Sequence, residues 1–163
     1  TLIARSHLGY DQSMKMVSAI EELEAKGQAA KVASRRLARL STEVKNRALS
    51  SVADGLVSRT EEVLQANQRD RAKAEASGMS PAMLDRLLLS PERLAAMAQD
   101  VRTVVGLPDP VGEVFDMRTL PNGLLIGRKR VSLGVIGAIY ESRPNVTIEA
   151  ASLAIKRGRA SAV

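Results

Sequence analysis

The spacing of apolar residues changes along the chain. From about Val17 to Val105, apolar residues recur with the spacing of amphipathic helices. Pro108 and Pro110 then interrupt this pattern, because proline cannot continue a helix. Beyond the two prolines, the apolar residues are grouped in short runs that are typical of strands. The pattern predicts a helical first part followed by a part that contains a sheet.

Residues that favour helix caps mark several helix starts in the first part. They are Ser41, Thr60 with Glu61 and Glu62, Ser80 before Pro81, and Ser90 before Pro91. In the helix after Ser41 one apolar stripe is expected to face the core, formed by Val44, Ala48, Leu49, Val52, Ala53 and Leu56. Gly106 is expected to close the last of these helices as a C-terminal cap.

The second part has the order of a hairpin followed by a strand–helix–strand unit. Asn122-Gly123 is a strong hairpin signal between "GEVFDMRTL" and "LLIGRKRVSL". A strand is predicted over Val135 to Tyr140, then a helix that begins near Val146 and ends at Gly158, and "RASAV" opens another strand. This order predicts an α/β fold with a mostly parallel sheet that is incomplete within the chain.

The composition argues against several kinds of site within the chain. The 163 residues include no cysteine, which excludes disulfides and a thiolate nucleophile within the chain. His7 is the single histidine, and no carboxylates cluster near it in the sequence, so no metal site is expected. The uncharged run from Val131 to Tyr140 is shorter than the ~20 residues that span a bilayer. No secretory signal is recognisable, so the expected location is the cytoplasm, with no membrane partner.

The net charge of +6 raises the possibility of nucleic-acid binding. However, the basic residues are interleaved with acids along the helices, a pattern typical of an ion-paired, solvated surface. The compact run Gly127–Arg130 is interpreted as a solvent-facing strand end, and only three aromatic residues are available for stacking. No nucleic-acid partner is expected. A basic helical nucleic-acid module remains an alternative, and it predicts binding that weakens steeply with salt.

The stretch "YESRPNVT" places charged and amide groups directly after a buried strand. Loops at the carboxyl ends of parallel strands bind ligands, and the helix that follows presents unpaired N–H groups to an anion. Arg143 is a candidate phosphate or carboxylate ligand, and Asn145 a candidate donor to an oxyanion. Two simpler interpretations stay open: Asn145 as a helix N-cap, and Glu141 with Arg143 as a surface ion pair. Gly134 and Gly137 do not form a dinucleotide-binding fingerprint.

The same stretch carries a family resemblance. "RKRVSLGVIGAIYESRPNVTIEAASLAIKRG", together with "DPVGEV", "GMSPAMLDRLLLSPERLAAMAQDVR" and "LSTEVKNRAL", resembles the γ-glutamyl phosphate reductase family of the aldehyde dehydrogenase superfamily. The resemblance covers roughly Val17 to Gly158 and implies an aldehyde-dehydrogenase-like fold. Here the helical lead-in and β-hairpin come before the start of a Rossmann-like parallel sheet. The alternative within the superfamily is an enzyme that acts on another acyl phosphate or an aldehyde.

The resemblance also implies a reaction and site residues. Members of the family reduce L-glutamate 5-phosphate to L-glutamate 5-semialdehyde with NADPH, in proline biosynthesis, through a cysteine thiolate. By similarity Asn145 is the oxyanion donor and Arg143 binds substrate phosphate. Ile139, Tyr140, Glu141 and Ser142 line the nicotinamide end of the cofactor. The chain has no cysteine, so 163 residues alone are expected to be inactive.

The resemblance divides the chain into four parts. Residues 1–15 match nothing in the family and are interpreted as an extension, and residues 16–106 as the helical part of the cofactor-binding domain. Residues 107–132 are the connector and an oligomerisation hairpin, and residues 133–163 are the first, incomplete strand–helix unit. The chain is thus expected to be the N-terminal fragment of a longer enzyme that forms a homo-oligomer.

Overall fold

The computed structural model describes the backbone of residues 4–141 and 143–162, and the side chains of residues 18, 20–141 and 143–160. Its helices are α1 (Ala4–Leu37), α2 (Thr42–Ser58), α3 (Thr60–Ala76), α4 (Pro81–Leu87), α5 (Pro91–Gly106) and α6 (Pro144–Lys156). Its strands are β1 (Val114–Thr119), β2 (Leu125–Lys129), β3 (Val135–Gly137) and β4 (Ala160–Ala162). Helix α1 runs without interruption across the boundary predicted after residue 15.

The predicted helix starts are confirmed. Ser41 and Ser90 each accept a hydrogen bond from a first-turn N–H, of Val44 at 3.3 Å and of Arg93 at 3.2 Å. Ser80 precedes α4 with an extended backbone but makes no side-chain cap. The prediction for Gly106 is wrong: it is the last residue of α5, its φ is not positive, and Leu107 is the C-cap.

The hairpin is confirmed, with an irregular first strand. Strands β1 and β2 pair antiparallel, and the Gly123 N–H donates to the Leu120 carbonyl at 2.9 Å to close the turn. Gly123 adopts a φ of 82°, which suits glycine at this place. Between Phe115 and Arg118 the register shifts at a bulge, where Asp116 has a φ of 54°.

The parallel strand–helix–strand unit is also confirmed, although its first strand is short. β3 pairs parallel with β4, and α6 connects them. The strand predicted as far as Tyr140 ends at Gly137, because β4 supplies partners only for Val135–Gly137 in the described part of the chain. Gly158 ends α6 as predicted: its φ is +64°, and the next N–H, of Arg159, returns to the Ala154 carbonyl at 2.8 Å.

The core lies where α2, α5 and α6 meet. Leu49 and Ala53 of α2 pack against Ala98 and Val101 of α5, and Ile148 and Ile155 of α6 cover this cluster. The predicted stripe of α2 is wrong at Ala48 and Val52, which are exposed. Lys45 is buried one helical turn before Leu49, so the buried line follows an i, i+4 spacing that includes a charged residue.

Two buried lysines sit at the edge of this core. Lys45 Nζ lies 2.8 Å from Asp109 Oδ2 in the connector after α5. Lys156 Nζ donates to Asn46 Oδ1 at 2.7 Å and to the Val105 carbonyl at 2.8 Å. Burial lowers the pKa of Lys156, against the attraction of Asp109. These contacts join α2, the end of α5 and the end of α6.

The ion-paired surface predicted from the charge pattern is confirmed. Exposed pairs join Arg47 to Glu43, Arg59 to Glu62 and Arg102 to Asp54 on the helices. In the basic run at the end of the hairpin, Arg128 of β2 pairs with Asp116 of β1, and Arg130 just after β2 pairs with Glu113 just before β1. Within the described residues, no helix is long and apolar enough to cross a membrane.

Candidate active site

The loop from β3 to α6 brings the predicted site residues to the start of a helix. α6 begins at Pro144, two residues earlier than predicted, and Arg143 occupies the N-cap position without a side-chain cap. Asn145 is therefore inside the first turn, and the interpretation of Asn145 as an N-cap is wrong. Proline at the first helical position has no N–H to leave unpaired, so it suits this start.

The Asn145 side chain is held by the acid one turn later. Its Nδ2 donates to Glu149 Oε1 at 2.8 Å. A carboxamide nitrogen carries two N–H groups, so one donor is used by Glu149 and the other is still available. Glu149 thus orients the half-buried amide without using all of its capacity to donate. This geometry is compatible with a second hydrogen bond to a ligand oxygen.

The other residues of the loop are placed differently. The Tyr140 hydroxyl is hydrogen-bonded to Thr147 Oγ1, which attaches the loop to the first turn of α6. Ile139 is fully exposed and Glu141 is exposed. Among the described side chains, Glu141 and Arg143 do not form the surface ion pair that was the simpler interpretation. Ser142, also a predicted site residue, lies outside the described residues.

A cleft of ≈ 420 Å³ opens beside Asn145. One wall is formed by Arg143, Pro144, Asn145 and Glu149. The opposite wall is the turn between α4 and α5, which we call the α4–α5 corner (residues 85–90), together with one face of α5. Of the predicted residues, Arg143 and Asn145 border the cleft. Ile139, Tyr140 and Glu141 do not.

The α4–α5 corner is fixed by two side chains. Asn67 of α3 is buried, donates from Nδ2 to the Leu87 carbonyl at 2.8 Å, and accepts from the Leu89 N–H at 2.9 Å. Arg93 Nη1 donates to the carbonyls of Asp85 and Leu88 at 2.8 and 2.6 Å. Four backbone polar groups of the corner are therefore paired with side chains, which makes this wall a defined surface.

Arg86 and Arg93, which border the same cleft, were not predicted as site residues. The sequence signal near them is "DRLLLSPER", in which the second helix start is recognisable from Ser90-Pro91. That signal locates a turn between two helices. It does not show that the turn faces Asn145, because that contact depends on the packing of α5 against α6.

Most of the chain is similar to known proteins. No family model matches the chain. Among curated proteins, γ-glutamyl phosphate reductases of Chloroflexus aurantiacus and Dehalococcoides mccartyi are 58% and 52% identical over 139 and 145 residues, or 85% and 89% of this chain. That of Serratia proteamaculans is 59% identical over 138 residues. The chain spans about a third of the length of these curated relatives, 33%, 34% and 33% in turn.

Solved structures agree. The γ-glutamyl phosphate reductase of Thermotoga maritima superposes with a TM-score of 0.83 at 43% identity, covering 86% of this chain and 34% of that one. The enzyme of Saccharomyces cerevisiae gives a TM-score of 0.78 at 31% identity, over 85% and 35% of the two chains.

These matches identify the α/β architecture described above as aldehyde-dehydrogenase-like, in agreement with the predicted fold class. Over the residues matched, the chain is similar to γ-glutamyl phosphate reductases, about a third of whose length it spans.

Proposed function

We propose that this chain forms part of an enzyme that reduces L-glutamate 5-phosphate to L-glutamate 5-semialdehyde and phosphate with NADPH, in proline biosynthesis. The main support is that the activity named for the relatives needs the kinds of residue that this cleft contains. The relatives that match at 52–59% identity are named γ-glutamyl phosphate reductase, and Arg143 and Asn145 of this chain border one cleft. An acyl phosphate needs an anion ligand for its phosphate and a donor for its carbonyl oxygen.

Two residues take these roles in the proposal. Asn145 donates its remaining N–H to the oxygen that becomes negatively charged when the carbonyl is attacked. Arg143 is exposed at the N-terminal end of α6, where its guanidinium and the first-turn N–H groups attract the phosphate. Arg143 at the N-cap and Asn145 in the first turn lie at the same end of one helix, so the phosphate and the acyl carbonyl are bound side by side.

The nucleophile comes from outside these 163 residues, since none of them is cysteine. In the proposed reaction, a cysteine thiolate attacks the acyl carbon and expels phosphate, which gives a thioester. Reduction of the thioester releases the aldehyde and restores the thiolate. Because each step passes through a tetrahedral oxyanion, the Asn145 donor serves both steps.

The β3–α6 loop fits one end of a nicotinamide cofactor. Residues 138–143 contain no glycine, so this loop lacks the close backbone approach that binds a pyrophosphate. The fully exposed Ile139 offers an apolar surface that suits a flat, uncharged ring. We assign Ile139, Tyr140, Glu141 and Ser142 to the nicotinamide end. When bound, the cofactor supplies the hydride.

The proposal also covers the oligomeric state, the division into domains and the location of the whole enzyme. The hairpin β1–β2 exposes Val114, Met117, Leu124 and Leu125, which supports a homo-oligomer through this element. The boundaries at residues 15/16, 106/107 and 132/133 separate the extension, the helical part, the hairpin and the first strand–helix unit. The proposed location is the cytoplasm.

A chimeric enzyme tests the function. Residues 20–160 replace the matching third of the Thermotoga maritima reductase, and NADP⁺ reduction is followed with glutamate 5-semialdehyde and phosphate. We expect phosphate-dependent turnover within about tenfold of the parent enzyme. The 163-residue chain alone is the control and is expected to show no turnover. A folded chimera without phosphate-dependent turnover would contradict the proposal.

A further inference from the structure

The cleft beside Asn145 is lined by equal numbers of opposite charges. Three arginines border it, namely Arg86, Arg93 and Arg143, and three acids, namely Asp85, Asp100 and Glu149. A cleft lined only by arginines would favour a polyanion, whereas balanced lining favours a ligand that carries both charges. Its volume of ≈ 420 Å³ lies in the range of small-molecule sites.

Several of these charges already have partners within the protein. Arg93 bonds to the carbonyls of the α4–α5 corner and lies 3.5 Å from an Asp85 oxygen. Glu149 accepts from Asn145. Arg86 and Asp100 form no ion pair within the described part of the chain. They are one cation and one anion on the wall opposite Asn145.

We propose that this cleft binds the α-amino-acid end of the acyl substrate. Arg86 binds the α-carboxylate, since a guanidinium matches a carboxylate with two parallel hydrogen bonds. Asp100 binds the α-ammonium group. This proposal rests on the proposed function: it places the amino-acid end between the α4–α5 corner and α5, while the acyl phosphate lies at Asn145 and Arg143.

The structure of the corner supports this assignment. A binding site must hold its ligands in place before the substrate arrives, otherwise ordering them reduces affinity. Asn67 and Arg93 fix the backbone of residues 85–89 through four hydrogen bonds. Arg86 lies within this segment and Asp100 on helix α5, so the backbone positions that carry the two charges are defined before a ligand binds.

Binding of L-glutamate to the 163-residue chain tests the proposal directly. In an NMR titration we expect saturable shifts of residues 85–89, 100 and 143–149. Glutarate, which lacks the ammonium group, and 4-aminobutyrate, which lacks the α-carboxylate, are each expected to bind at least about tenfold more weakly. Arg86→Gln and Asp100→Asn should weaken L-glutamate binding by a similar factor. The exposed control variants Arg71→Gln and Asp70→Asn should not change it.

Shifts elsewhere in the chain, or equal binding of all three compounds, would overturn the assignment. A second measurement uses the chimeric enzyme and compares glutamate 5-semialdehyde with butanal, which lacks both charged groups. We expect Arg86→Gln to raise KM for the semialdehyde about tenfold or more, with kcat and the KM for NADP⁺ unchanged and butanal unaffected. An active chimera in which Arg86→Gln changes both aldehydes equally would refute this inference alone. An unmodified chimera that turns over neither would refute the proposed function instead.

Discussion

Lys45 and Asp109 form an ion pair that is buried on both sides, with 2.8 Å between Nζ and Oδ2 and side chains that are 1% and 5% exposed. The same carboxylate accepts hydrogen bonds from Thr42 Oγ1 and from the Val111 N–H, each at 3.0 Å. All of these partners compensate for the loss of water around the charge. The pair fixes the start of α2 to the connector that leads into the hairpin.

Removing one member of this pair is expected to be costly. Asp109→Ala leaves the Lys45 ammonium buried without a counter-charge, so we expect the free energy of unfolding to fall by about 3–5 kcal/mol. The matched control is Asp54→Ala, which removes the exposed pair with Arg102 and should cost at most about 1 kcal/mol. Urea denaturation measures both, and equal losses would contradict the role of burial.

The pKa of Asp109 predicts how this stability depends on pH. Burial by itself would raise the pKa, but hydrogen bonds from Lys45, the Val111 N–H and Thr42 outweigh it and hold the pKa below its ordinary value. The folded state therefore binds this proton less readily than the unfolded state. The stabilisation is complete above the unfolded pKa of about 3.9 and is lost as the pH falls through the folded pKa.

Unfolding of the unmodified chain and of Asp109→Asn is compared between about pH 7 and pH 2. The difference in the free energy of unfolding should shrink toward zero in acid, because protonated Asp109 then resembles asparagine. A difference that stays constant over this range would show that Asp109 is not the titrating group.

Two glycines with the same cap geometry separate backbone strain from crowding. Gly78 and Gly158 both end helices with positive φ, +82° and +64°. A Cβ added at Gly78 meets nothing within 4 Å, whereas one at Gly158 lies 3.3 Å from the Leu37 carbonyl oxygen and 3.4 Å from Lys45 Nζ. We expect Gly78→Ala to cost about 1 kcal/mol and Gly158→Ala about 2–3 kcal/mol. Thermal and urea unfolding that give equal costs would argue against the close contact with Lys45.

The local stability of the α4–α5 corner is expected to depend on the Asn67 side chain. Asn67→Ala removes two hydrogen bonds and leaves the Leu87 carbonyl and Leu89 N–H without their side-chain partner. We expect a loss of about 2 kcal/mol and faster hydrogen exchange of the Leu89 amide. Gln68→Ala, at an exposed neighbouring position, should change neither. Unchanged exchange at Leu89 would mean that Asn67 does not hold the corner.

The sequence patterns correctly predicted helix ends whose hydrogen bonds join residues that are close together in the sequence. Ser41, Ser90 and Gly158 act through hydrogen bonds to residues within one helical turn, so their roles were readable without the fold. Lys45 was missed because its burial depends on Asp109, which lies 64 residues further along the chain. Binary patterning assigns lysine to the surface, and only the tertiary structure reveals the partner that makes burial possible.

Only one wall of the cleft contains residues that were predicted from the sequence. "YESRPNVT" indicated Arg143 and Asn145 because a strand–helix junction concentrates unpaired N–H groups at a known place. The opposite wall comes from residues 85–100, which approach α6 through the packing of α5. Spacing along the chain does not encode that approach, so Arg86 and Asp100 were recognised only from the structure.

The role of Asn145 is testable in the chimeric enzyme. Asn145→Ala removes the donor proposed for the oxyanion, and we expect kcat to fall about 10²–10³-fold with little change in KM, because the bond strengthens only as charge develops. Glu149→Gln keeps a hydrogen-bond acceptor for Asn145 and should reduce kcat much less. Asn122→Ala, in the hairpin turn, is the control and should leave kcat unchanged. If Asn145→Ala instead raised KM with kcat intact, Asn145 would bind ground-state substrate, and the oxyanion donor would have to be sought elsewhere in the enzyme.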